Sequence, residues 1–221
     1  KELFRQRIKE KVQRDKAQRL ARMDEELPSW IAWAAKPIAG LSGDLINMRD
    51  GIVGKVGEVK ASTSLHMMLP STCILVNDVV LEPGLEDFIQ IDHVVVGPSG
   101  IHLVETKAWE GAFLCHGDDW KRKDGKRWTR CPSPTRQSMR HVRLFQAWLS
   151  EHVKDLPPAA PVRPLILFTR SSWLKTNNSP VPVYESSLKM GWHIRKHSGR
   201  QVLEQEDINR TVEAIVRAEP F

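Results

Sequence analysis

Short runs rich in Val, Ile and Leu recur through the middle of the chain and are separated by turn-forming residues. Runs of this length and composition are typical of β-strands, and the Gly, Pro and Asp residues between them are typical of tight connections. The pattern predicts strands over residues 73–81, 88–96, 101–108 and 112–116, a buried strand over 165–168 and a further strand near 181–184. A small hairpin from Trp120 to Trp128 is expected to turn at Asp124-Gly125.

Elsewhere apolar residues recur every three or four positions, which is the spacing of one helix face. This spacing predicts helices over residues 52–68, 135–153 and 206–217. Residues 1–26 contain neither Gly nor Pro and carry one thin apolar stripe, so we expect a polar helix outside the core there. Strands mixed with helices in this order predict an α/β domain built on a mixed sheet.

A change of composition at Gly51 divides the chain into two parts. Residues 1–50 are expected to form a basic helical extension and an apolar linker. The apolar patch Trp30–Ala35 is expected to dock on the main domain, with a membrane surface as the alternative. Residues 51–221 are expected to form one compact domain, because a total of 221 residues suits one domain plus an extension. A homodimer formed through the N-terminal helix is a further expectation.

The cysteine content and the hydropathy limit the class of protein. Three cysteines without CxxC spacing favour a reducing compartment over a secreted disulfide framework. No apolar run approaches the roughly 20 residues that cross a bilayer. A cytoplasmic location is therefore expected. The chain begins at Lys1 rather than Met, so a membrane anchor upstream of Lys1 stays an open alternative. The chain has no Gly-rich phosphate loop, so no ATP site is expected in it.

The basic residues are concentrated in two segments. The net charge is +6, and residues 1–22 alone hold nine basic and three acidic residues. A second segment, the basic island between Trp120 and Arg143, holds nine basic residues and one acid. Such an island in an otherwise neutral domain indicates a polyanion partner, with a solvated surface as the alternative. We expect DNA phosphates, single- or double-stranded, to contact Lys121, Arg122, Lys123, Lys126, Arg127, Arg130, Arg136 and Arg140.

Charged residues end the second and third predicted strands. If the Gly97–Gly100 turn is symmetric, Asp92 lies opposite Glu105 and Gln90 lies opposite Lys107, all on one face. Opposed Cβ atoms lie roughly 5 Å apart, so the two carboxylates repel unless a hard divalent cation lies between them. The alternative is a half-buried salt bridge from Lys107 to one of the acids, with no function.

The same face continues from the charges into apolar residues, namely Val94, Val96, Ile101 and Leu103. The charges are therefore expected at one end of a strand pair whose other end is core, and Lys107 is expected to matter for chemistry rather than for folding. His93 and His102 alternate onto the opposite face and are expected to be packed. The tryptophans near the basic island are expected either to stack on bases or to pack in the core; they are Trp109, Trp120 and Trp128.

Around this hairpin the sequence resembles the nuclease-related domain (NERD) family of the PD-(D/E)XK nuclease superfamily. Six blocks carry the resemblance in the family's order: Gly54-x-x-Gly57-Glu58, Asn77-Asp78-Val79, Gln90–Val96, Gly100-Ile101 leading to Val104–Lys107, Trp109-x-Gly111, and Pro134-x-x-Gln137-x3-His141. The resemblance implies a restriction-endonuclease-like mixed β-sheet core flanked by helices. Ala108 and Trp109 depart from it, since a polar residue is common after the lysine.

The resemblance also implies a role for each matching residue. Asp92, Glu105 and the Thr106 carbonyl would hold Mg²⁺ or Mn²⁺, and Glu58 would complete the acidic site or hold a second ion. Lys107 would steady the attacking water or stabilise charge on the phosphate, and Gln137 would orient water or the backbone. The implied function is metal-dependent hydrolysis of DNA phosphodiester bonds with low sequence specificity. The alternative is a catalytically inactive module of the same fold that binds DNA or a protein partner.

Overall fold

The structure of the chain is a computed structural model that describes residues 65, 67–84, 87–158, 160–197 and 201–218. The extension expected over residues 1–50, most of the helix expected over 52–68, and Glu58 lie outside the described residues. Leu65, Met67 and Met68 are helical, and they lead into the first strand.

The first sheet carries the charged hairpin at its centre. Its order is β1-β2-β3-β7-β9, in which β1, β2 and β3 pair antiparallel, whereas β3 with β7 and β7 with β9 pair parallel. The strands are β1 (Ile74–Gly84), β2 (Asp87–Gly97), β3 (Gly100–Lys107), β7 (Val162–Phe168) and β9 (Val183–Tyr184).

The second sheet contains most of the basic island. Its order is β6-β5-β4-β8; β4, β5 and β6 form an antiparallel meander, and β8 pairs parallel with β4. The strands are β4 (Gly111–His116), β5 (Asp119–Asp124), β6 (Arg127–Arg130) and β8 (Ser171–Asn177).

Three helices complete the described part of the chain: α1 (Pro134–His152), α2 (Ser187–His197) and α3 (Gln205–Ala218). Helix α1 begins at Ser133, whose hydroxyl accepts a hydrogen bond from the Arg136 N–H, and Pro134 occupies the first turn. Both residues favour a helix start, because the hydroxyl satisfies a free N–H and proline needs none there. Within the part of the chain that the structure describes, no helix is long and apolar enough to cross a bilayer.

The first sheet is packed on both faces. Val94, Val96, Ile101 and Leu103 face α1 and α3, and they form the largest core cluster with residues such as Phe145. The opposite face carries Val95 and Val104, which pack against Leu65 and against α2. The expected continuation of the charged face into apolar residues is confirmed, and α1 is the helix that covers this face.

His93 and His102 are buried, as expected, and they lie on the strand face away from the acids. Nδ1 of His93 lies 2.8 Å from Oδ1 of Asn77, to which it is hydrogen-bonded. Neither histidine is part of the charged cluster described below.

The second sheet packs its inner face, defined by Phe113, Cys115 and Trp120, against β7. The Trp120 ring stacks on Phe168 at a centroid distance of 5.5 Å, and its Nε1–H donates to the Thr135 hydroxyl near the start of α1. Phe168 pairs with Lys107 in the parallel ladder, so the second sheet stands beside the charged end of β3.

Two expectations about the elements are corrected. The strands do not form a single mixed sheet, because the chain leaves the first sheet after Lys107 and builds a second one from β4 onwards. Strand β8 was not predicted, since Ser-Ser-Trp-Leu-Lys-Thr-Asn has no apolar run and its partner β4 lies more than fifty residues earlier in the chain. The basic hairpin is confirmed, with Asp124 paired to Arg127 across the turn.

Gly100 provides a test of the hairpin turn. Its φ is +122°, and a Cβ placed there would lie 2.5 Å from the Pro161 carbonyl oxygen, which accepts a hydrogen bond from Ile101 N–H. Gly100→Ala is therefore expected to lower the free energy of unfolding by more than about 2 kcal/mol in urea denaturation. Gly117 is the matched control, because its φ of +58° is left-handed but nothing lies within 4 Å of an added Cβ. Gly117→Ala should cost about 1 kcal/mol, and equal losses in both variants would contradict the steric argument.

Candidate active site at the polar end of β3

The register of the β2–β3 hairpin brings the two acids together. Paired residues run from Gly97 with Gly100 to His93 with Val104, which is the register expected from a symmetric turn. The main-chain ladder between β2 and β3 ends at this last pair. One residue further, the Asp92 side chain joins the two strands, since its Oδ2 accepts a hydrogen bond of 2.6 Å from the Thr106 N–H. The N–H and C=O of one strand residue face the same neighbour. The Asp92 carboxylate therefore lies at the strand edge to which the Thr106 carbonyl is directed.

Glu105 is a buried carboxylate with cationic and polar partners at both oxygens. Its Oε1 lies 2.6 Å from Lys107 Nζ, and its Oε2 lies 3.4 Å from Nδ1 of His141. Burial by itself raises the pKa of Glu105. The polar contact with His141 and the charge and hydrogen bond of Lys107 outweigh burial and hold the pKa below its ordinary value. The site therefore holds an ionised carboxylate at neutral pH.

Lys107 is held at three points. Its ammonium group donates to Glu105 Oε1 and, over 3.0 Å, to Oε1 of Gln137, and it lies 5.6 Å from the centroid of the Trp109 ring. A lysine ammonium has three N–H donors. Two of them point to these partners, and the described residues show no acceptor for the third. The salt bridge from Lys107 to one of the acids, which was the alternative interpretation of the sequence, is present, and the acid is Glu105.

Helix α1 supplies the other wall of the site. Gln137 and His141 are one helical turn apart, so they lie on the same face of α1 and reach Lys107 and Glu105 in β3. The start of α1 is held in place by Thr135, whose hydroxyl donates to Asp118 and accepts from Trp120. Gln137, which the family resemblance assigns to the site, accepts a hydrogen bond from Lys107, a contact that was not predicted.

His141 was not predicted as a site residue, although it ends one of the blocks that carry the family resemblance. A signal was available in its spacing of four residues from Gln137, because that spacing puts both side chains on one helix face. What the sequence does not show is that α1 crosses β3 at Glu105. His141 is buried and contacts the carboxylate, so it is a positioning residue for Glu105.

Gln90 does not join this cluster. It pairs with Val80 in β1, and its Nε2 donates over 2.6 Å to Oδ1 of Asp78, a buried residue in the left-handed backbone region. The expected pairing of Gln90 with Lys107 is not formed, because the β2–β3 ladder ends at His93 and Val104. Glu58 lies outside the described residues.

The strand alternation of β5 and β6 divides the basic island between two faces. Arg122 is opposite Phe113 and shares the inner face with Arg127, whereas Lys121, Lys123 and Arg130 lie on the outer face. Nε of Arg122 lies 3.8 Å from the position of a Cβ at Gly111, so its side chain extends beside the segment that follows Lys107 and Trp109. Arg136 and Arg140 are exposed on α1, next to Gln137 and His141, and Lys126 lies in the hairpin turn.

The tryptophans near the island have different surroundings. Trp120 is a core residue, and Trp109 packs against Phe113 and Phe168 while it faces Lys107. Trp128 is exposed on the outer face of the second sheet. Core packing therefore accounts for Trp120, and only Trp109 and Trp128 are accessible to a ligand.

The oxygen atoms at this end of the sheet are of the kind that hard divalent cations prefer: the Asp92 and Glu105 carboxylates and the Thr106 carbonyl. Within the described residues, no group of three or more His, Cys, Asp or Glu side chains is arranged to hold a metal ion. The described donor set is therefore two carboxylates and one peptide carbonyl.

Comparison with known proteins identifies the family. Residues 53–169 match the sequence model of the family described as nuclease-related domain. The match covers just over half of the chain and includes all six blocks that carry the resemblance. The chain belongs to the nuclease-related domain family. Glu105, Lys107, Gln137 and His141 all lie inside the matched region, and membership indicates a nuclease-related function.

One relative of this nuclease-related domain protein is an uncharacterized protein of Bacillus anthracis, which is 28% identical over 102 residues. The aligned region covers 44% of the chain and 47% of the relative, so the chain spans about half the length of the curated relative it matches. No solved structure matches the chain at a significant level.

Buried His93 makes the stability of this domain depend on pH. Burial lowers the pKa of His93 to about 4, although the charge of Glu105 raises it in part. As the pH falls below 6.5, the unfolded chain takes up a proton at this residue and the folded chain does not until about pH 4. The free energy of unfolding should therefore fall across this window, by up to about 3 kcal/mol.

Urea denaturation between about pH 7 and pH 4, with EDTA present to remove metal effects, covers this window and measures the loss. His93→Gln keeps a polar partner for Asn77 and should flatten the profile. His116→Gln changes an exposed histidine and should retain the wild-type profile. A His93→Gln profile as steep as that of the wild type would contradict the assignment.

Proposed function

We propose that this chain is a divalent-metal-dependent nuclease with a restriction-endonuclease-like core, and that it hydrolyses DNA phosphodiester bonds with low sequence specificity. The observation that carries the proposal is the cluster of Glu105, Lys107 and Gln137 at the polar end of β3. The buried, ionised Glu105 carboxylate holds Lys107, and the Gln137 amide from α1 holds it from the other side. The second carboxylate, Asp92, is bound to the Thr106 N–H, between these two residues of β3. Family membership supports a nuclease-related role for this cluster.

Lys107 is proposed to stabilise the negative charge that develops on the phosphate. The transition state gains negative charge on the phosphate. A positive charge that is already held in place stabilises it effectively, because the protein does not have to rearrange during the reaction. The bonds to Glu105 and Gln137 fix the ammonium group, and the third N–H is available to a phosphate oxygen. The Trp109 ring covers one side of the ammonium group and limits its motion.

Mg²⁺ or Mn²⁺ is proposed to be held by the Asp92 and Glu105 carboxylates and the Thr106 carbonyl, with Glu58 as a further ligand. When bound, such an ion would supply an activated water for attack at phosphorus. Asp92 is oriented by the Thr106 N–H, and Glu105 is oriented by His141. Glu105 is held in its ionised form, which is the form that would bind a hard cation.

DNA is proposed to approach along the exposed side of α1 and past Arg122, which is exposed although the apolar part of its sheet face packs against β7. Arg122, Arg136 and Arg140 flank the cluster there and would contact phosphates, which supply affinity without sequence information. The two arginines on α1 lie next to the residues that hold Lys107 and Glu105. This placement would bring a phosphate towards the site rather than to a remote surface.

The rival proposal is a catalytically inactive module that uses the fold to bind DNA or a protein partner. The specific observation in its favour is that both oxygens of Glu105 already have partners within the domain. Fold alone does not establish activity. The two proposals differ in whether cleavage depends on a metal and on Lys107, so one experiment separates them.

The nuclease proposal is tested with plasmid and linear DNA in Mg²⁺, Mn²⁺ or EDTA. Cleavage is expected only with a metal, and Lys107→Met should lower its rate by at least about a hundredfold, because a group that acts on the transition state is lost. DNA affinity in EDTA should change little. Lys189→Met, on the exposed side of α2, should cleave like the wild type. Absence of metal-dependent cleavage of DNA or RNA by the wild type would leave the inactive module.

Lys107→Met should also melt at a lower temperature than the wild type. The variant leaves Glu105 buried with only His141 as a partner, and breaking one side of a buried ion pair is destabilising. The expectation that Lys107 serves chemistry but not folding is therefore revised. Cleavage should be assayed well below both melting temperatures, where both proteins are folded.

Metal binding is tested by titration calorimetry with Mn²⁺. Asp92→Asn keeps an oxygen acceptor for the Thr106 N–H and removes the negative charge, so Mn²⁺ binding should weaken by at least about tenfold. Asp119→Asn, in the second sheet, is the matched control and should bind like the wild type. Equal Mn²⁺ affinity in Asp92→Asn and the wild type would remove the ion from this hairpin.

A further inference from the structure

Two tryptophans meet on the outer face of the second sheet, although their strands are the two edges of that sheet. Trp128 lies in β6 and Trp173 lies in β8, and their ring centroids are 5.8 Å apart with an angle of 47° between the planes. The rings therefore lean towards each other over β5 and β4. Trp128 is 39% exposed and Trp173 is 44% exposed, so both rings present surface to solvent.

The tryptophans are surrounded by basic residues. Lys123 lies directly opposite Trp128, and strand alternation places three more basic side chains and one acid on the same outer face. The basic residues are Lys121, Lys123, Arg130 and Lys175, and the acid is Asp119, which lies 3.5 Å from Lys121 and 3.4 Å from Arg130. Among the charges of this face, the positive sign therefore predominates.

Exposed indoles interleaved with lysine and arginine have a specific chemical complement. Aromatic side chains stack on unpaired bases, whose faces are accessible, and the flanking cations contact the phosphates of the same strand. A duplex offers only its phosphates to such a surface, because its base faces are covered by their neighbours in the stack. The combination of two rings and a positive face therefore fits a single strand better than a duplex.

We propose that the outer face of the second sheet binds single-stranded nucleic acid by stacking unpaired bases on Trp128 and Trp173. This inference names single-stranded nucleic acid as a substrate class for the proposed nuclease. Its biological role rests on the proposed function, whereas the binding itself does not. The surface lies on the side of the second sheet opposite to the inner face that packs beside Lys107. It would hold an unpaired stretch away from the reacting phosphate.

Binding is tested with an oligothymidylate of about 20 nucleotides and with a hairpin duplex, by fluorescence anisotropy in EDTA, so that no cleavage occurs. The double variant Trp128→Ala/Trp173→Ala should bind the single strand at least about tenfold more weakly, since each of the two stacked bases contributes about fivefold or more. Duplex affinity should change less than about threefold, because the phosphate contacts remain.

Two further variants separate stacking from loss of structure. Trp128→Phe/Trp173→Phe keeps aromatic faces and should recover most of the single-strand affinity. Trp192→Ala removes a tryptophan that is 60% exposed on α2, and it should bind both ligands like the wild type. Because Trp128 and Trp173 are exposed, the double Ala variant is expected to fold, and circular dichroism checks this.

The outcomes distinguish this inference from the proposed nuclease activity. Loss of single-strand binding in the Ala variant with recovery in the Phe variant supports the surface, whether or not the wild type cleaves DNA. Equal single-strand affinity in the wild type and the Ala variant overturns it, even if cleavage is intact. An equal loss for single strand and duplex also overturns it, as does a change in self-association without a change in nucleic-acid binding.

Discussion

The candidate site depends on one constraint, which is that the buried carboxylate of Glu105 must be compensated. An ionised carboxylate inside the protein is costly unless charged or polar partners surround it. Lys107 supplies the charge from the same strand and His141 supplies a polar contact from α1. These contacts explain why α1 crosses the sheet at this point and why Gln137, one turn earlier, reaches the lysine. Stability and the proposed chemistry are therefore linked, because Lys107, which is proposed to act on a phosphate, also compensates the buried charge of Glu105.

The second sheet gives the site its surroundings. Its inner face packs on Phe168 next to Lys107, and Trp109 continues this apolar wall to the ammonium group. The same strands turn their other face to solvent, where Trp128 and Trp173 lie among basic residues. Strand alternation thus separates one basic segment of the sequence into a group beside the site and a group behind it.

Local features of the fold were predictable because they depend on residues that are close in sequence. The symmetric turn from Gly97 to Gly100 sets the register of β2 and β3, and the register determines that Asp92 adjoins Thr106 and that Glu105 shares a face with Lys107. Helix α1 was predictable from its apolar spacing and from Ser133 and Pro134 at its start. Gln90 shows the limit of such reasoning, because its partner Asp78 belongs to β1 and the hairpin alone does not reveal it.

The sequence by itself determined the charged hairpin, the family and the position of the basic island, since each is encoded in contiguous residues or in short blocks. Only the tertiary structure decided that His141 contacts Glu105, that the strands form two sheets, and that Trp128 meets Trp173. Each of these features joins elements that are far apart in the chain. Strand β8 in particular has no hydrophobic pattern from which it could be predicted. Its place is set by hydrogen bonding to β4 and by packing of Leu174 in the shared core, which are properties of the folded chain rather than of any segment.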